Sequence, residues 1–105
     1  MNKIYLKTMI TSAIDKSSLK KDIKKVSLFG SYVNGKPRED SDVDLLVEFF
    51  PKAEIGFFNF IGMKDDLERF IGKHVDLLTA ESLSEYFRQD VLRQAEVIYE
   101  GTNNF

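Results

Sequence analysis

Gly30-Ser31-Tyr32-Val33-Asn34-Gly35-Lys36-Pro37-Arg38-Glu39-Asp40-Ser41-Asp42-Val43-Asp44 is the stretch on which the reading of this chain turns. It begins where a short strand, Val26-Ser27-Leu28-Phe29, ends at Gly30, and it finishes inside a second strand, Val43 to Phe49. A short helix or turn starts at Ser31, and Pro37 with the polar residues to Ser41 makes a loop. Along the second strand Val43, Leu45 and Val47 point to one face and Leu46 to the other. A strand apolar on both faces is expected at the centre of a sheet.

The flanking segments extend this pattern. Leu6, Met9, Ile10, Ala13 and Ile14 follow helical spacing and predict an amphipathic helix over residues 3–16. Ser17-Ser18 interrupts it, and Lys20, Lys21, Lys24 and Lys25 form a basic connector around Ile23. Beyond the second strand, Phe57, Phe60, Ile61, Leu67, Phe70 and Ile71 fit one long helix, which Gly72 stops as a C-cap. His74 to Leu78 reads as a third strand. Ser82-x-x-Glu85 is a capping-box pattern, expected to open a helix with Phe87, Val91, Leu92 and Ala95 on one face. Val97 to Tyr99 is a last strand, and residues 101–105 a frayed tail. This order predicts an α/β (α+β) fold: a small mixed β-sheet with helices packed mainly on one face.

A chain of 105 residues is read as a single domain, 1–105, with one modest core. Hydrophobic residues at 43% and charged residues at 30% describe a globular protein. Cysteine is absent, which excludes disulfides and thiolate metal sites. No apolar run approaches the roughly 18 residues of a membrane span, and no signal-peptide pattern opens the chain. The expectation is a cytoplasmic protein with no membrane partner. The net charge of −2 hides an asymmetry: residues 1–38 hold nine Lys/Arg against two acids, and residues 39–105 hold six against fifteen. A basic half suits phosphate, and an acidic half suits metal or a basic partner. The lysine run lacks interleaved aromatics, so it reads as a solvated face rather than a nucleic-acid patch.

The chemistry lies in the acids. Asp42 and Asp44 are two residues apart on a strand and point the same way, with Cα atoms about 6.5–7 Å apart. Carboxylates so placed can jointly grip a metal pair about 3.5–4 Å apart. Left without a cation they repel, and one pKa rises. Gly30 lets backbone approach a ligand closely, and a helix starting at Ser31 points N–H groups at an anion; the Ser31 hydroxyl adds a donor. Either element alone is commonplace, an Asp-rich turn or an N-capped helix start. Together, Gly30-Ser31 and Asp42-x-Asp44 suit a triphosphate held beside divalent metal. A third acid, Asp76, sits inside the apolar run Val75-Asp76-Leu77-Leu78, where a carboxylate is costly unless paired or functional. On the face that bears Asp44, it would make three carboxylates converge and could take the proton from an attacking hydroxyl.

Gly30-Ser31 followed, ten residues on, by Asp42-x-Asp44 resembles the signature of the nucleotidyltransferase superfamily that includes DNA polymerase beta. The short chain, Phe29-Gly30-Ser31 and Asp42-Val43-Asp44-Leu45-Leu46-Val47-Glu48-Phe49 are similar to the minimal nucleotidyltransferase (MNT) antitoxins. Val75-Asp76-Leu77-Leu78-Thr79 and Glu81-Ser82-Leu83 resemble that family's third-acid region, and the likeness spans about residues 25–100. The resemblance implies a gene beside a HEPN-domain ribonuclease toxin and transfer of AMP from ATP to a toxin tyrosine. By the same resemblance Gly30 and Ser31 hold the triphosphate, Asp42, Asp44 and Asp76 hold Mg²⁺ (two ions), and Asp76 activates the acceptor hydroxyl. One departure is Val33-Asn34-Gly35, where many relatives have Ala-Arg-Gly. Lys36 or Arg38 would have to replace the phosphate contact of that arginine.

Two alternatives accompany this reading. An antitoxin acting by occlusion would need no chemistry, and Phe57, Phe58 and Phe60 would offer it a protein-facing patch, although the expectation is that they fill the core. A small-molecule nucleotidyltransferase ranks lower, because a second domain to bind such an acceptor is not apparent. His74 is expected to be structural or solvated, and Tyr32 stands where it could stack on a base.

Overall fold

The computed structural model describes residues 2–38 and 40–102, with the side chain of Asn34 also outside the description. The chain runs α1 (Lys3–Asp15), β1 (Ile23–Phe29), α2 (Ser31–Asn34), β2 (Val43–Phe49), α3 (Phe57–Ile71), β3 (Val75–Thr79), α4 (Glu85–Gln94) and β4 (Glu96–Glu100). Short 3₁₀ turns, Lys20–Asp22 and Ala80–Ser82, precede β1 and α4. The four strands form one sheet in the order β3-β2-β1-β4. β2 and β3 are parallel, while β1 is antiparallel to both β2 and β4. This is the expected mixed sheet, and β2 lies inside it, as its two-sided apolar pattern demands.

α1 starts at Asn2, whose side chain accepts from the Tyr5 N–H at 2.8 Å. Its buried residues Leu6, Ile10, Ala13 and Ile14 recur at helical spacing. α3 buries Met63, Leu67 and Ile71 along one stripe and ends at Gly72, whose φ of 77° is the left-handed cap a glycine supplies without strain. These stripes meet Val26 and Leu28, Val43, Leu45 and Val47, and Val75 and Leu77 in one core. Strand alternation therefore turns Asp44 and Asp76 to the sheet face away from α1 and α3.

Several expectations are corrected. Strand β1 begins at Ile23 rather than Val26, so part of the basic connector is strand: Ile23 is buried opposite Phe49, and Lys25 pairs with Glu48. A register irregularity between Ile23 and Lys25 lets two lysines follow a core isoleucine without entering the core. β3 runs one residue later than read, leaving His74 before the strand. The cap of α4 is Ser84, whose Oγ accepts from the Tyr86 N–H at 3.3 Å, whereas Ser82 Oγ donates to the Thr79 carbonyl at 2.7 Å within the 3₁₀ turn. The apolar stripe expected on α4 is not a core stripe. No α4 residue is buried, Phe87 is 64% exposed, and Ala95 falls beyond the helix. Helical spacing marks a stripe but does not place a second surface beneath it. Tyr32, read as a base-stacking candidate, is buried in the core. Of the tail, Gly101 donates its N–H to the Lys24 carbonyl at 2.8 Å, and residues 103–105 lie outside the description.

Candidate active site

The acids assemble through strand register. In the parallel β2–β3 pair Asp44 stands opposite Asp76, which brings their backbones to the strand spacing of about 4.8 Å. In the antiparallel β1–β2 pair Phe29 stands opposite Asp44, so the next residue, Gly30, lies at the same end of the sheet. Gly30 has a φ of 76°, and a Cβ added there would overlap Asp44 Oδ2 and crowd Asp44 Cγ at 2.9 Å. Glycine is thus required twice, by backbone conformation and by the carboxylate against it. Ser31 opens α2 directly after it, and its N–H and that of Tyr32 belong to the first turn, where a helix supplies no acceptors of its own.

Asp42 precedes β2 on the same alternation as Asp44, and Val43 between them is fully buried. One ligand atom from each of Asp42, His74 and Asp76 lies within 4.8 Å of the others. Burial first, then the charge of Asp76, a hydrogen bond shared with Asp76, and the charge of Asp42 push the Asp44 carboxyl up to about 6. Like charges have been brought together on half-buried strands, the conflict that a bound cation relieves. All of the sequence-predicted residues, Gly30, Ser31, Asp42, Asp44 and Asp76, therefore meet at one end of the sheet. Oxygen donors in this number suit a hard divalent ion such as Mg²⁺.

Two residues were not assigned to this site from the sequence. His74 Nε2 lies 3.4 Å from Asp76 Oδ1, and its Nδ1 lies 2.7 Å from Glu68 Oε2 on α3. The two-residue spacing of His74 from Asp76 was a usable signal. Glu68 had none, because it reaches β3 only through the packing of α3. Along β3 from Asp76, Leu77 and Leu78 join Phe49, Ile55, Phe57 and Phe60 around an apolar groove of about 550 Å³. Phe60 packs edge-on to Phe49 at 6.5 Å, but Phe57 and Phe58 are 72% and 87% exposed, contrary to the expectation that all three fill the core. Lys36 and Arg38 are exposed on the loop before Asp42.

Residues 12–104 match the family described as Polymerase beta, Nucleotidyltransferase. The protein adenylyltransferase MntA of Thermococcus cleftensis is 42% identical over 78 residues, covering 73% of this chain and 74% of that protein. A solved structure described as a candidate minimal nucleotidyltransferase superposes with a TM-score of 0.74 at 30% identity, covering 90% of this chain and 94% of that one. The MNT antitoxin complex with a tri-AMPylated Shewanella oneidensis HEPN toxin shares the fold, with a TM-score of 0.62 at 21% identity over 91% of this chain and 73% of that one. With its Gly30-Ser31 turn and its opposed acids, the chain belongs to the polymerase-beta nucleotidyltransferase family and, within it, to the minimal nucleotidyltransferases that include MntA.

Proposed function

We propose that this protein is a cytoplasmic, Mg²⁺-dependent adenylyltransferase that moves AMP from ATP to a tyrosine of a HEPN-type ribonuclease and so acts as its antitoxin. The observation that carries the reading is the in-register opposition of Asp44 and Asp76, with Asp42 beside them and Gly30-Ser31 at the same sheet end. The adenylyltransferase name of the T. cleftensis relative and the AMPylated HEPN toxin bound by the Shewanella antitoxin support the choice of group and partner.

Asp42, Asp44 and Asp76 would hold the metal, which when bound neutralises phosphate charge and lowers the pKa of the attacking hydroxyl. Gly30 and Ser31 present backbone N–H groups and a hydroxyl to the triphosphate. An Asp76 carboxylate oxygen accepts the tyrosine proton. The phenolic oxygen then bonds to the α-phosphorus as the bond from that phosphorus to the bridging oxygen breaks, and pyrophosphate leaves with that electron pair. Most of the catalysis is positioning and charge neutralisation.

The test is incubation with labelled ATP, Mg²⁺ and the HEPN protein encoded alongside. Label should appear on a toxin tyrosine and fall by at least about 100-fold in Asp42→Ala/Asp44→Ala; transfer surviving that change sinks the assignment. Exposed Phe57 and Phe58 favour one second reading, neutralisation by occlusion. Full neutralisation by the double variant would select it.

A further inference from the structure

His74 is not merely a neighbour of the acids. A carboxylate can only accept, so at 2.7 Å from Glu68 Oε2 it is Nδ1 that carries the hydrogen and donates. In the neutral ring the lone pair is then on Nε2. Glu68 is itself fixed: the Val75 N–H donates to the same Oε2 at 2.8 Å, and Lys64 Nζ donates to Oε1 at 3.2 Å. A carboxylate that orients an imidazole from behind is the arrangement that prepares histidine as a metal ligand. On its other side Nε2 lies 3.4 Å from Asp76 Oδ1. Adjacent ligand atoms bound at about 2.0–2.2 Å to one ion stand roughly 2.8–3.6 Å apart across octahedral and tetrahedral shells, a range that includes this pair. Asp42 offers a carboxylate oxygen within 4.8 Å of one ligand atom each from His74 and Asp76.

We propose that Asp42, His74 Nε2 and Asp76 form a mixed nitrogen–oxygen site that accepts the Mg²⁺ of the proposed reaction but binds divalent transition metals such as Mn²⁺ more tightly, with Glu68 as the positioning residue. Mg²⁺ favours an all-oxygen shell, whereas imidazole strengthens binding of transition ions. The inference rests on the reading of Asp42 and Asp76 as holders of a divalent cation, and it adds the nitrogen ligand and the selectivity.

Mn²⁺ titration of the tag-free chain, followed by electron paramagnetic resonance, tests it. Pulsed spectra of the bound ion report directly coordinated ¹⁴N, and His74 is the only histidine in the chain. Expected is imidazole nitrogen coupling in the unaltered protein, absent in His74→Gln. Mn²⁺ affinity should fall about 10-fold or more in His74→Gln and in Glu68→Gln, and Mg²⁺ affinity within about threefold should survive in His74→Gln. Bound Mn²⁺ without nitrogen coupling overturns the inference and leaves the carboxylate site standing. Failure of Mn²⁺ and Mg²⁺ alike to bind overturns both. Since the nitrogen signal is read on the unaltered chain, the result does not depend on the variants folding.

Discussion

Asp44 on β2 and Asp76 on β3 stand directly opposite each other in a parallel strand pair. Burial first, and then the negative charge of Asp76 across the strand pair, push the Asp44 carboxyl up to about 6. The site is thus least comfortable in the state a cation-free protein has at neutral pH. The register that sets the acids against each other is the one that, under the proposed function, would let them hold a metal.

Metal-free protein should accordingly lose stability as pH rises from about 4 to about 6. The Asp44 pKa is raised from 3.8 to about 6 on folding. In this window the folded state binds more protons than the unfolded one, and rising pH favours unfolding. The full effect is roughly 3 kcal/mol at 1.36 kcal/mol per unit, an upper value because solvent reaches the site. Glu68 and Glu96 act oppositely: the Val75 N–H chiefly lowers one and Lys3 chiefly the other, so their stabilisation is lost as pH falls below about 4.5. Thermal melts in chelator at pH 5 and pH 7 should show the higher Tm at pH 5. Asp44→Asn should flatten the difference, and a divalent cation should raise Tm at pH 7. A Tm that rises from pH 5 to pH 7 in chelator would contradict the raised Asp44 pKa.

Gly30→Ala should damage both fold and activity. The new Cβ meets the Asp44 carboxylate, at a backbone φ of 76° that side chains resist. A cost of about 1–3 kcal/mol is expected from the backbone alone, visible in urea unfolding. Transfer should drop at least tenfold even where the variant is fully folded, because Asp44 must move.

Leu45→Ala probes the scaffold under the site. Leu45 is fully buried between Asp44 and Leu46 on the central strand. Truncation should cost about 2–5 kcal/mol, read by denaturant melts. A loss below 1 kcal/mol would mean that β2 is not anchored in the core as described.

Phe57→Ser/Phe58→Ser should leave Tm within roughly 2–4 °C, since both rings are mostly exposed. Binding to the proposed HEPN partner should weaken measurably in calorimetry. Unchanged affinity would move the partner's contact elsewhere.

Much of this protein was legible from local pattern alone. Helices α1 and α3, strand β2 and the Gly72 cap follow from apolar periodicity and from glycine's tolerance of positive φ, which are properties of neighbouring residues. The spacing of Gly30-Ser31 and Asp42-x-Asp44 pointed to the candidate site because strand alternation puts both acids on one face. Tertiary structure decided what depends on partners distant in sequence. Register across β2 and β3 set Asp76 against Asp44, and packing of the end of α3 against β3 carried Glu68 to His74. Tertiary packing also left α4 and Phe57 without cover and buried Tyr32, because whether a side chain is covered depends on which remote element lies above it, and no residue's own neighbours encode that.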